Sequence, residues 1–148
     1  MVKWIQVMAL AAVLCLTGAM AYAQGAGSEW ETLQQEARKL YRAGKYDQAV
    51  IVAKKALELA EKSVGPNHPD VATSLNNLAG IYRAQGQYAQ AEPLYRRSLV
   101  IREKALGPDH PDVATSLRNL ALLYRATQRT TEAEQLEERA AKIKANDK

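Results

Sequence analysis

Phenylalanine is absent and cysteine occurs once, at Cys15; glycine and proline are sparse, at 8 and 5 residues, and only two histidines occur. A lone cysteine cannot close a disulfide within the chain or build a thiolate metal site. Few helix breakers, set among abundant Ala, Leu, Glu, Lys, Arg and Gln, favour an all-α chain. The charge is mixed as well as modest. The formal balance is +4 over 148 residues, and basic side chains are interleaved with glutamates along the chain. That is a solvated helical surface; nucleic-acid binding would need clustered Lys/Arg with aromatics, so no nucleic acid is expected as a partner.

One long uncharged stretch stands apart. Lys3 precedes an apolar run from Val7 to Leu16, and Ala21, Tyr22 and Ala23 place small residues where a signal peptidase reads them. Residues 1–23 are therefore expected to be a signal peptide cleaved between Ala23 and Gln24, giving a periplasmic or secreted product. The alternative is an N-terminal membrane anchor, because no charge occurs from Trp4 to Ala23 and about 20 apolar residues can span a bilayer. Gln6, Thr17 and Gly18 dilute that run. Cys15 lies within it and would leave with the leader, so the mature chain would carry no thiol and no affinity for a membrane.

The remainder is repetitive. The stretch from Gly65 to Leu75 (GPNHPDVATSL) recurs from Gly107 to Leu117 (GPDHPDVATSL), an offset of 42, and 16 of 20 residues agree between 65–84 and 107–126. Duplication accounts for such agreement. Leu75, Leu78, Ala79 and Tyr82 fall at i, i+3, i+4 and i+7, one face of a helix; Gly86 suits its left-handed end, and Tyr88, Ala91, Tyr95, Ser98 and Leu99 trace a second helix. The third unit repeats the face as Leu117, Leu120, Ala121 and Tyr124. An earlier unit shows Leu33, Ala37, Leu40, Gly44, Tyr46, Ala49 and Ala53. These patterns predict helices over 28–43, 46–63, 69–85, 88–106, 111–127 and 130–145. Ala37, Ala79 and Ala121 at one repeat position, with Ala49, Ala91 and Ala133 at another, would let paired helices approach closely. Pro69 and Pro111 suit a first helical turn, with Asp70 and Asp112 beside the positive helix end. Pro93 falls inside a predicted helix and should delete one backbone bond.

Leu75, Leu78, Ala79, Tyr82, Gly86, Tyr88, Ala91 and Tyr95 resemble the signature of a tetratricopeptide repeat. The 42-residue period, in place of about 34, together with the His-Pro-Asp-Val-Ala-Thr-Ser-Leu linker, resembles the kinesin-light-chain type. The resemblance implies an all-α fold, a short right-handed α-solenoid of three helical hairpins. It would divide the chain into a leader (1–23), a linker (24–29), a repeat domain (30–145, with repeats near 30–64, 72–106 and 114–145) and a tail (146–148). The first unit departs from the pattern at Glu36 and Ala53. The third departs at Gln128, Thr130 and Glu137, so its last helix reads as a polar cap.

No catalytic constellation accompanies the repeats, and neither an enzyme nor a cofactor is expected. His68 and His110 sit at equivalent positions one repeat apart, about 10 Å by the spacing of packed helices; ligands of one ion must meet within about 2 Å of it. A cap role is expected for both. Ser74 and Ser116 lie in first turns without a nucleophile motif. Glu132, Glu134, Glu137 and Glu138 are expected to form surface ion pairs with Arg139 and Lys142.

The resemblance also implies a function, protein–protein interaction through a concave groove lined by the first helix of each hairpin. Carried over position by position, the groove holds Gln34, Arg38 and Tyr41, then Asn76, Asn77, Gly80 and Arg83, then Thr115, Arg118, Asn119, Leu122 and Arg125. Asn77 and Asn119 could bond both polar groups of an extended backbone. The arginines make an acidic segment or a free carboxylate the favoured ligand. The carboxylate clamp found in some tetratricopeptide domains is not expected, because of its five positions, here Gln34, Arg38, Asn77, Thr115 and Asn119, only Asn77 carries the usual residue. The competing expectation is a structural module that uses its end repeats or convex face and self-associates.

Overall fold

The computed structural model describes Gly25 and residues 27–146. The expected leader, its cleavage site and residues 147–148 lie outside the described residues. Within them the chain forms six helices: α1 (27–42), α2 (Tyr46–Val64), α3 (Pro69–Ala84), α4 (Tyr88–Leu106), α5 (Pro111–Ala126) and α6 (Thr130–Asn146). α1 starts inside the segment read as a linker. α4 runs continuously through Pro93. No helix among the described residues is long and apolar enough to cross a membrane.

The helices pair as hairpins α1–α2, α3–α4 and α5–α6, stacked as an all-α solenoid. Alanine sets the hairpin spacing. Ala37, Ala79 and Ala121 meet Ala49, Ala91 and Ala133, all buried in one core that runs through the three hairpins. Two smaller clusters sit at the linker end. Val71, Ala72, Leu75 and Ile101 form one and Val113, Ala114, Leu117 and Ile143 the other, the same four repeat positions each time. Duplicated sequence has produced duplicated packing.

The helix starts follow their local chemistry. His68 and His110 are the N-caps of α3 and α5. The Nδ1 of each accepts the backbone N–H two residues on, at 3.2 and 3.1 Å, with Pro at the first helical position. The hairpin turn demands a left-handed residue, and Gly44 and Gly86 supply it at φ 71° and 73°. The third hairpin has Gln128 there, and it still adopts φ 63°. A side chain in that region is strained by about 1 kcal/mol or more. Gln128→Gly is therefore expected to raise stability by about 0.5–1 kcal/mol, read as a higher urea midpoint at unchanged slope.

Register between hairpins is fixed by polar contacts that also recur. Arg97 pairs with Glu61 and donates to the Pro66 carbonyl; Arg139 pairs with Glu103 and donates to the Pro108 carbonyl. Arg139 thus reaches across to α4 instead of pairing with the glutamates of its own helix, while Glu138 does pair with Lys142. At the opposite edge Arg129 stacks on the Tyr124 ring, 3.8 Å from its centroid, and bonds Glu92 and Glu132.

The described residues at the two end faces of the stack lack the large apolar side chains of the internal junctions. Glu29, Glu36 and Lys39 are exposed on α1 where the next repeat has the buried Val71, Leu78 and Ile81. On α6, Ala141 and Lys144 are exposed at the positions of Leu99 and Arg102. Neither end carries the apolar set that joins hairpins inside the stack.

Candidate functional site

The first helix of each hairpin lines one side of the stack. A hollow of about 310 Å³ lies there, bounded by Ala37, Arg38, Tyr41 and Arg42 of α1, by Asn76, Asn77, Gly80, Ile81 and Arg83 of α3, by Tyr95 of α4 and by Asn119 of α5. Its floor follows from two residues. Gly80 presents no side chain, and a Cβ built there would meet only the Tyr95 hydroxyl, at 3.5 Å. By the 42-residue offset, Arg38 and Leu122 occupy the same position in the neighbouring repeats, so the missing side chain opens the space between them.

The expected groove residues separate into three groups. Arg38, Tyr41, Asn76, Asn77, Gly80, Arg83 and Asn119 line the hollow. Arg118 lies at the far end of the stack with Pro111, Ala114, Ile143 and Lys144; Thr115 accepts from it at 3.4 Å; Leu122 and Arg125 are exposed beyond the hollow. Gln34 is not presented at all. It is 3% exposed, its Nε2 donates to Ser74 at 2.7 Å and its Oε1 accepts from Asn77. The neighbouring hairpin covers it, which helical spacing within α1 could not reveal. Four lining residues, Ala37, Arg42, Ile81 and Tyr95, were not anticipated as such. Arg42 stands four residues after Arg38, hence on the same face, and Tyr95 reads as core by sequence although its hydroxyl edge reaches the floor.

The asparagines have a prior commitment. Asn77 Nδ2 donates to Gln34 Oε1 at 2.6 Å, and Asn119 Nδ2 donates to Asn76 Oδ1 at 3.0 Å. The same bond recurs at both junctions between hairpins, so these amides hold the groove's shape. Each keeps an oxygen or a second N–H for a ligand.

Charge sets the character of the hollow. Among the described residues no carboxylate lines it. Arg38, Arg42 and Arg83 form no ion pair among the described residues, whereas Arg96, Arg97, Arg125, Arg129 and Arg139 are each paired with a glutamate. Arg83 Nε is buried without a hydrogen-bond partner among the described residues. Burial pushes the Tyr95 hydroxyl above the usual tyrosine range, against the opposing hydrogen bond and charge of Arg83. The phenol therefore stays neutral and leaves the arginine uncompensated. Among the described residues no group of His, Cys, Asp and Glu could hold a metal ion. Ser74 and Ser116 are buried and engaged by Trp30, Gln34 and Arg102.

The tetratricopeptide-repeat profile matches residues 31–104 and 70–146. BtubC (BKLC) from P. vanneervenii superimposes with a TM-score of 0.74 and 27% identity, over 79% of this chain and 46% of that one. A Podosopora anserina protein assigned as a kinesin light chain, with nearly identical TPR-like repeats, gives 0.73 and 28% identity over 80% and 56%. The chain thus spans about half the length of these two structures. The first TPR of Spaghetti (RPAP3), solved bound to the HSP90 peptide SRMEEVD, shares the fold with a TM-score of 0.61 at 19% identity, over 80% of this chain and 82% of that one. No curated protein matches by sequence.

Proposed function

Because this chain belongs to the tetratricopeptide-repeat family, whose members typically mediate protein–protein interaction, we propose that it is an exported, non-enzymatic adaptor that holds an acidic segment of a partner protein in the groove of α1, α3 and α5. The observation that carries this reading is the hollow of about 310 Å³ lined by three arginines and, among the described residues, no carboxylate. An acidic side chain entering it would receive charge-assisted bonds from guanidinium groups that no described carboxylate engages. Tyr41 and Tyr95 supply apolar walls, and the asparagine amides can bond a passing backbone. The fold neighbour RPAP3 holds a peptide containing two glutamates and an aspartate, so a stack of this shape accommodates such a ligand. The lack of large apolar side chains at the two end faces weighs against self-association by stacking of hairpins.

Gly80→Leu tests the site without altering charge. A Cβ at Gly80 has ordinary contact distance to the Tyr95 hydroxyl, and replacing a mid-helix glycine favours the helix. The substituted chain is expected to melt no lower than the wild type while its side chain fills the hollow. Partner capture from an extracytoplasmic extract should then fall at least tenfold. Undiminished capture by Gly80→Leu would move the binding surface out of the hollow.

Export has its own test. Expressed in a bacterial host, the chain is expected in the extracytoplasmic fraction with Gln24 as its first residue. An intact Met1 chain held in the membrane fraction would favour the anchor.

A further inference from the structure

Positions 41, 83 and 125 are equivalent in the three hairpins, as are 53, 95 and 137 on the second helices, and in the second and third hairpins the paired positions meet. The three repeats fill them differently. The first has Tyr41 with Ala53. The second has Arg83 beside the Tyr95 hydroxyl, a neutral neighbour that does not neutralise its charge. In the third, Arg125 meets Glu137, with Nε donating to one carboxylate oxygen at 2.7 Å and Nη2 to the other at 2.6 Å. That is the bidentate arrangement an external carboxylate would adopt.

We propose that Glu137 acts as a built-in substitute for a ligand carboxylate: by occupying Arg125 it keeps that arginine out of the anion site of Arg38, Arg42 and Arg83 and so limits how long an acidic stretch the groove accepts. This inference rests on the groove reading above. Its physical basis is competition. Glu137 is tethered across the hairpin from Arg125, so its effective concentration exceeds that of any free ligand. Both side chains remain partly exposed, at 45% and 38%, and pairs of that exposure are weak enough to be remodelled. The hydrogen bond and charge of Arg125 hold the Glu137 carboxyl below the usual carboxylate range, so the substitute stays ionised at neutral pH. Successive hairpins lie about 10 Å apart, close to one Debye length at physiological salt. A freed Arg125 would therefore extend the positive groove by one repeat with little repulsion from Arg83.

The probe is a hexaglutamate peptide carrying a neutral dye, with hexaglutamine as control, titrated by fluorescence anisotropy into the purified chain. Glu137→Tyr reproduces the second repeat's pairing and is expected to tighten hexaglutamate binding about three- to tenfold; Glu137→Gln, nearly isosteric, should move it the same way. Arg125→Ala alone should change little, because that arginine is already occupied, yet it should cancel the gain in the Glu137→Tyr background. Glu138→Gln, which removes the same charge from a carboxylate paired with Lys142, should give no comparable gain. An Arg125→Ala loss as large as that of Arg83→Ala would overturn the masking, as would equal gains from Glu137→Gln and Glu138→Gln. Wild-type binding that depends on Arg83 but ignores every Glu137 substitution would overturn the masking and leave the groove reading intact. Absence of binding by every form would overturn the acidic-ligand reading and this inference with it.

Discussion

Leu75→Ala is expected to lower the unfolding free energy by about 2–5 kcal/mol. Leu75 is fully buried on α3, among Ala60 of α2, Val71 and Ala72 of its own helix and Ile101 of α4, with Trp30 and Leu57 packed against the cluster. The central hairpin is the one on which both neighbours depend. In a stack where each unit buries its apolar face only against adjacent units, a loss in the middle weakens two junctions at once. Leu117 is the repeat equivalent, equally buried, but its cluster joins α5 to the final helix through Ala140 and Ile143. Leu117→Ala should therefore loosen the last hairpin first. Urea titration followed by helical ellipticity separates the two: Leu75→Ala shifts a single transition to lower urea, and Leu117→Ala broadens it and lowers its apparent slope. Two equal shifts at unchanged slope would contradict the nearest-neighbour picture.

What the sequence made legible was whatever repeats locally. Helix positions, caps and the alanine contacts depend on residues within a few turns of each other, and the duplicated segments declare them twice. Positions whose meaning depends on the facing hairpin were opaque. Gln34 has the spacing of a surface residue, yet a partner 40 residues away covers it. Asn77 and Asn119 read as ligand contacts, and their amides turn out to tie adjacent hairpins together. Glu36 and Glu137 both read as decay of the repeat. Glu36 lies on an end face against which no described residue packs in the manner of Leu78, so a charge there is no defect. Glu137 has a specific partner in Arg125 that no periodicity discloses. That Arg38, Arg42 and Arg83 have no ion pair among the described residues was likewise invisible, because it depends on where the described carboxylates lie in three dimensions.

Arg102→Ala is expected to cost about 2–4 kcal/mol, for reasons that arise at the same junctions. Ser74 and Ser116 occupy equivalent buried positions and each needs a donor from the preceding hairpin. At the first junction Trp30 Nε1 and Gln34 Nε2 supply it, at 2.8 and 2.7 Å. At the second, Arg102 takes over, with Nη1 donating to Ser116 Oγ at 2.9 Å and to the Asp112 carbonyl at 3.1 Å, and Nη2 to Thr73 Oγ1 at 3.3 Å. Arg102 is 6% exposed and has no ion pair among the described residues. Burial draws its pKa down, opposed by the charge of Asp112, and a guanidinium so placed remains charged. Two terms therefore compete: bonds from a charged donor to three oxygens on α3 and α5, and the cost of holding that charge away from water. Alanine removes the bonds and the packed stem together and leaves a cavity. Methionine keeps most of the stem and relieves the buried charge, so Arg102→Met should lose less than half as much. The urea midpoints of the two variants decide the balance. Equal losses would mean that the oxygens of α3 and α5 require the donor and that the stem contributes little. A neutral Arg102→Ala would mean that desolvation already cancels every bond the guanidinium makes, leaving the apolar core shared by the hairpins to hold the junction.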